Sequence, residues 1–400
     1  MKSIERKTVE GEKRDMNKKS FRIPVVLLIV VALMAMVGAV GCGSETTTTT
    51  AVTTPPETSP PETAPPTTEA AVQEAMDLNY AYGGPNQGAF AETNQWFADE
   101  IAARTDGKVK ITIHWGGTLV KQPDTLSGVG KGVADMGAAM GDPTNPHWAT
   151  LSLSGAGNDQ WAVMMATYEM VNGDPEIAAE MEKANVVPTH GYFPGTPIMI
   201  LKKEITSVDD LKGLRIRVGT PDEATALSAL GMEPVQVGIF ETYDSLDKGV
   251  IDGTLLTIAW ADTLKLGEVA KYWYRFSNNI IGGAVTTVIN KDVWAKFTPE
   301  TQAIVQEISR EYNDKYAQTV MDQEKAVLDN ATSKLDVKYL EVSGPVDAAY
   351  KAAIEAAHQG WFDKNDAGGA KTKAVWDEYQ GYVAQYEADV AAKGYPWATQ

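Results

Sequence analysis

The sequence predicts an α/β protein built as two lobes. Three observations carry this. Strand-like alternation and helical spacing take turns along the chain, the pattern of βαβ units. The punctuation Gly132-Val-Ala-Asp135 returns as Gly249-Val-Ile-Asp252, about 117 residues later, in each case between a helical stretch and a strand. About 330 of the 400 residues follow a low-complexity tract, a length that suits two lobes better than one.

The chain opens on a basic stretch and the apolar run Val25-Val-Leu-Leu-Ile-Val-Val-Ala-Leu-Met-Ala-Met-Val-Gly-Ala-Val40, followed by Gly41 and Cys42. A charged start, a short apolar run and small residues before a cut form a secretory signal. At about 16 residues the run is shorter than the ~20 that span a bilayer. Cysteine at the cleavage point resembles a bacterial lipoprotein signal, which implies residues 1–41 as signal peptide and a lipid on Cys42. The first 41 residues hold eight Lys/Arg and four acids, so their removal takes the net charge from −18 to −22. Such a surface repels nucleic acid and anionic lipid, which excludes nucleic acid as a partner. Cys42 is the only cysteine, so no disulfide is expected in an exported protein. Residues 42–76 are rich in Thr and Pro, with Pro55-Pro56, Pro60-Pro61 and Pro65-Pro66. They read as a disordered, extended tether between membrane and globular part.

Folding starts near residue 77. Asp77 to Tyr82 alternates as a strand, Phe90 to Arg104 repeats apolar residues at helical spacing, and Lys108 to His114 alternates again. Ile205 to Gly213 reads as a capped helical turn ended by glycine. Leu214-Arg-Ile-Arg-Val218 follows as a strand, with Arg215 and Arg217 on one face. Pro221 to Leu230 reads as a helix. Thr298-Pro299 opens a helix that runs to about Asn330, Thr as cap and Pro in the first turn. Val337 to Leu340 is strand-like, and helices are expected over 344–361 and 370–393.

Catalytic patterns are scarce. There is no Gly-x-Ser-x-Gly elbow and no phosphate-loop Gly-Lys-Ser/Thr. His114, His147, His190 and His358 are scattered without metal-ligand spacing, so neither a metal nor a cofactor is expected. Gly128-Val-Gly130-Lys-Gly132 sits in a helical stretch and lacks dinucleotide spacing. An arginine at the carboxyl end of a strand faces the crevice where α/β sheets bind ligands, and its planar fork matches a carboxylate. The same alternation also fits two arginines that merely solvate the outer side of the sheet.

The block Asp209-Asp-Leu-Lys-Gly-Leu-Arg-Ile-Arg-Val218, with Ala229-Leu-Gly231, Pro234, Phe240-Glu-Thr-Tyr243, Gly249-Val-Ile-Asp-Gly253 and Leu266-Gly-Glu-Val-Ala-Lys-Tyr272, resembles the extracytoplasmic solute-binding proteins of tripartite ATP-independent periplasmic (TRAP) transporters. The likeness runs from about Leu78 to Asn330. It implies a two-lobed periplasmic-binding-protein fold with hinge strands and a long bracing helix. Residues 77–197 and about 285–400 would form the first lobe and long helices, and 198–284 the main part of the second. It also implies a small organic acid clamped between the lobes, with TRAP permease membrane subunits as partners. In that pattern Arg217 pairs with the ligand carboxylate, and Arg215 stays on the surface. The chain departs from the pattern in two places. Thr254-Leu255-Leu256 stands where a polar run is common, and no arginine lies near Pro197, where the sialic-acid-binding branch has a second one. With Met136-Gly-Ala-Ala-Met140 also apolar, these departures favour a monocarboxylate with an apolar body over a sugar acid. Candidate walls are Tyr82, Met140, Trp161, Phe193 and Trp260, with Asn86 as a donor at the first βα turn. Each also fits an ordinary core or turn position. Phe240 and Tyr243 read as packing at a helix start. Two other readings keep this scaffold: a sensory binding protein for a signalling receptor, and an exported enzyme.

Overall fold

A computed structural model describes residues 72–278 and 285–399. The charged leader, the apolar run, Cys42 and nearly all of the Thr/Pro tract lie outside the described residues.

The first part of the chain forms β1 (Met76–Ala81), α1 (Gly88–Arg104), β2 (Val109–His114), α2 (Thr125–Gly130), β3 (Met136–Met140), α3 (Pro146–Thr150), α4 (Gln160–Gly173), α5 (Pro175–Lys183) and β4 (Val186–Tyr192). Next come β5 (Pro197–Leu201), β6 (Arg215–Val218), α6 (Pro221–Ala229), β7 (Glu233–Gln236), α7 (Thr242–Asp247), β8 (Gly253–Thr257), α8 (Ile258–Thr263) and β9 (Tyr272–Arg275). The last part forms β10 (Val285–Asn290), α9 (Lys291–Trp294), α10 (Pro299–Lys334), β11 (Lys338–Glu341), α11 (Pro345–Asp366) and α12 (Thr372–Lys393).

The strands make two sheets. One has the order β2-β1-β3-β10-β4 and the other β11-β9-β5-β8-β6-β7. The expected parallel βαβ pairing holds for β1 with β2 and β3, and for β6 with β7 and β8. Strands next to a crossing run the other way. β10 is antiparallel to β3 and β4, and β5 is antiparallel to β8 and β9. The first crossing is Phe193–Thr196, the second follows β9, and α10 makes the third. Helix α10 packs on α1, α4 and β4 of the first lobe and on α8 and β11 of the second. It is the predicted bracing helix, four residues longer than expected at its C-terminal end, with the Thr298 side chain accepting from the Thr301 N–H. The C-terminal segment does not stay with the first lobe. β11 pairs with β9 in the second sheet, α11 packs on α6, and α12 packs on α4. Among the described residues no helix is long and apolar enough to cross a membrane.

Each lobe has its own core. Leu78, Tyr80, Phe97, Trp148, Tyr312 and Tyr316 fill the first. The second sheet buries both faces: Ile216 and Leu227 pack beneath α6 and α11, and Ile198, Leu256 and Trp273 form a separate cluster on the other side. His190 is enclosed in the first core, stacked on Tyr312 with centroids 3.8 Å apart and edge-on to Phe97 at 4.5 Å. Burial holds its pKa down to about 3.

A buried carboxylate ties the first crossing to the bracing helix. Glu324 of α10 is 4% exposed. Its Oε1 accepts from the Thr196 N–H at 2.7 Å, and its Oε2 accepts from Gln160 Nε2 at 2.8 Å. The same Gln160 nitrogen also donates to Thr196 Oγ1. Gly195 lets the chain turn over this carboxylate, at φ +107°, and a Cβ there would stand 2.4 Å from Oε1.

Two outcomes follow from this packing. Gly195→Ala imposes a strained backbone and displaces Oε1, so it is expected to cost about 2 kcal/mol or more in urea denaturation; a cost below about 0.5 kcal/mol would contradict the tight crossing. On acidification below pH 6.5 the unfolded chain protonates His190 while the folded state does not, until pH approaches 3. Stability is therefore lost as pH falls through this window, by about 2–3 kcal/mol between pH 7 and 4.5 from this group. His190→Phe should remove that part of the acid dependence, and an unchanged acid limb would refute it.

Candidate ligand-binding cleft

β6 and β8 are parallel neighbours, and Arg217, near the carboxyl end of β6, stands opposite Thr254, near the amino end of β8. Alternation sends Ile216 and Val218 into the core beneath α6. Arg215 and Arg217 therefore share the opposite face, as expected, but their surroundings differ. Arg215 is partly exposed and grips both oxygens of Asp252, through Nε and Nη2 at 2.9 Å each. Arg217 is only 9% exposed. Its Nε donates to the Val237 carbonyl, just past β7, at 3.2 Å. Among the described residues no carboxylate lies within ion-pair distance of it. Burial pulls its pKa below the usual guanidinium value, and the nearby Glu223 charge partly opposes this. Gly219 leaves room over the fork: a Cβ there would stand 3.6 Å from both terminal nitrogens.

Aromatic rings connect this edge of the second lobe to the first. Trp260, early in α8 after the Thr257 cap, meets Phe90 at the start of α1, with centroids 6.0 Å apart. Phe90 contacts Tyr192 at 5.7 Å, and Tyr192 contacts Tyr82 at 6.3 Å and donates from its hydroxyl to the Tyr82 hydroxyl at 3.3 Å. Met140 lies in the same row of the first sheet, since it and Tyr192 both stand opposite Val285. The structure thus joins Tyr82, Met140 and Trp260 along one inter-lobe edge. Phe193 follows Tyr192 into the first crossing and is buried in the first-lobe core. Trp161 faces elsewhere: its indole N–H donates to Asp314 Oδ1 at 2.6 Å, and its ring meets Tyr386 and Tyr395. Asn86 is exposed in the turn between β1 and α1.

Three residues near this edge escaped the sequence reading and a fourth was read differently. Phe90 read as one more apolar position of a helix, and Tyr192 as part of an unassigned stretch. Phe240 is not helix-start packing. It is 62% exposed and stands edge-on to Trp260 at 6.2 Å. Asp222, at the start of α6, accepts from the Ser154 N–H at 3.1 Å and from its hydroxyl, which links a first-lobe loop to the second lobe. Cavities of 370 and 360 Å³ lie beside the crossings, lined by residues such as Thr196 and Arg275 in one and Ser277 and His358 in the other.

The residues 82–365 match the family model for bacterial extracellular solute-binding proteins, family 7. A solute-binding protein of Roseobacter denitrificans is 26% identical over 297 residues, covering 72% of this chain and 87% of its own. A TRAP solute-binding protein from Rhodoferax ferrireducens, solved with copurified benzoate, superimposes with a TM-score of 0.70 at 16% identity, over 79% of this chain and all of its own. One from Sulfitobacter sp. NAS-14.1, solved with β-D-galacturonate, gives 0.65 at 20% identity, over 76% and 100%. At these identities the structures show a common fold, and the family model covers most of the chain. The protein belongs to the family 7 extracellular solute-binding proteins, the DctP-like solute-binding components of TRAP transporters.

Proposed function

We propose that the protein captures a small monocarboxylate with an apolar body at Arg217 and passes it to TRAP permease membrane subunits, while a lipid on Cys42 and the Thr/Pro tether hold it at the membrane. The burial of Arg217 without a carboxylate within ion-pair distance, among the described residues, carries this reading. A desolvated cation is costly unless matched, and a ligand carboxylate supplies the match with two parallel hydrogen bonds. The apolar body is argued from Trp260, Phe90, Phe240 and Tyr192, and from Leu256 of β8, which by alternation shares the Arg217 face. A sugar acid has several hydroxyls that need polar partners, and burying them against aromatic rings is unfavourable. Relatives of this fold were solved with either kind of acid, so local chemistry decides between them.

Calorimetry with benzoate and with galacturonate tests the class of ligand. Benzoate should bind at least tenfold more tightly, and the reverse order would contradict the apolar body. Arg217→Ala should weaken benzoate binding by about 2–5 kcal/mol, or roughly 30- to several-thousand-fold. Arg215→Ala should leave it within twofold, since that arginine is already paired with Asp252. Equal losses in the two variants would refute the assignment. For the anchor, Cys42→Ser should move the protein from the membrane fraction to the soluble extracytoplasmic one. A variant that stays with the membrane would mean that the apolar run itself holds it.

A further inference from the structure

Glu223 is a second buried charge beside Arg217. It is 4% exposed, in the first turn of α6. Its Oε2 accepts from the Gly219 and Thr220 N–H groups, closing a capping box in which the Thr220 hydroxyl accepts from the Glu223 N–H. That oxygen and both terminal nitrogens of Arg217 stand at the same distance, 3.6 Å, from the point a Gly219 Cβ would occupy. Carboxylate and guanidinium thus face one small space without forming an ion pair.

We propose that Glu223 is the internal counter-ion of Arg217, and that capture of a ligand carboxylate is coupled to uptake of one proton by Glu223. This rests on the assignment of Arg217 as the anion anchor. In the free protein one buried cation faces one buried carboxylate. A ligand carboxylate on the same guanidinium leaves two anions around one cation in a poorly solvated space. Protonation of Glu223 by solvent restores the balance, and its cap survives because the carboxyl group still offers an acceptor oxygen to the N–H groups.

The surroundings place that proton on Glu223. Burial pushes its pKa up to about 7, against the Gly219 and Thr220 N–H bonds and the Arg217 charge, which lower it. The neighbouring Asp222 raises it further. Asp222 itself is held by Ser154 and faces His358 of α11, which also feels Glu355 on its own helix. His358 is kept neutral by burial. Arg217 is therefore the cation against which Glu223 titrates. Ligand anions raise the Glu223 pKa, so affinity is highest below pH 7 and falls as pH rises through the higher value reached in the complex.

Two measurements test the coupling. The first needs no ligand: thermal stability of the wild type, Arg217→Met, Glu223→Gln and the double variant, from pH 5 to 9. The effect of Arg217→Met should become more destabilising above pH 7 with Glu223 present, and should not change with pH in the Glu223→Gln background. Additivity at every pH would overturn the proposal. The second is calorimetry with benzoate at pH 7.5 in phosphate and in Tris. The wild type should take up a substantial fraction of a proton per benzoate bound, and Glu223→Gln none. At pH 8 the variant should bind on the order of tenfold more tightly, as one pH unit of linkage implies. Benzoate binding by the wild type without buffer dependence, or unchanged uptake in Glu223→Gln, would refute the coupling while leaving Arg217 as the anchor. Benzoate affinity that survives Arg217→Ala would instead remove the anchor itself.

Discussion

The burial of the Arg217 guanidinium is the constraint on which the proposed binding site depends. A cation costs free energy out of water, and the folded chain meets that cost with one backbone carbonyl, at Val237, and a carboxylate held just out of ion-pair reach. Arg215, two residues earlier on the same face, shows the alternative. It reaches Asp252 with both arms at the amino end of the strand, where solvent helps. Position along a four-residue strand decides which arginine is paired with a carboxylate and which is buried without one within ion-pair distance. Such incomplete satisfaction is costly to stability, and binding sites are where proteins commonly carry that cost.

The connection between the lobes is fixed by Glu324. One carboxylate of the bracing helix fixes the first crossing through the Thr196 N–H, and the same side chain receives Gln160 of the first lobe. The first crossing is therefore tied to α10. The aromatic series Tyr82, Tyr192, Phe90, Trp260 and Phe240 runs in contact from the first lobe to the second. Rings of this kind bury large areas with few rotatable bonds, which is the reason an apolar body is proposed for the ligand.

Much of the architecture was legible in the sequence because it is written in local signals. Thr298 and Pro299 mark the start of α10, Gly132 and Gly249 adopt the left-handed conformation expected of helix stops, and the alternation around Ile216 puts both arginines on one face. The cleft was legible only in part. Arg217 and Trp260 stand where a strand end and a following helix place them. Trp161 carried the same signal, an aromatic near a helix start, yet it is drawn to Asp314 on α10, a partner more than 150 residues away. Phe90 and Phe240 belong to ordinary helical patterns; the contact of Phe90 with Trp260 arises only where the two lobes meet, and that of Phe240 with Trp260 joins two separate connections of the second lobe. The antiparallel strands β5 and β10 stand next to crossings between sheets, which have no local signature. The reach of β11 into the second sheet has none either.

The most direct test is a crystal structure of the complex with benzoate. The account predicts that the carboxylate lies between the lobes, with both oxygens within hydrogen-bonding distance of the Arg217 fork and the ring against Trp260. A carboxylate bound away from Arg217, with that guanidinium still facing only Val237 and Glu223, would contradict it.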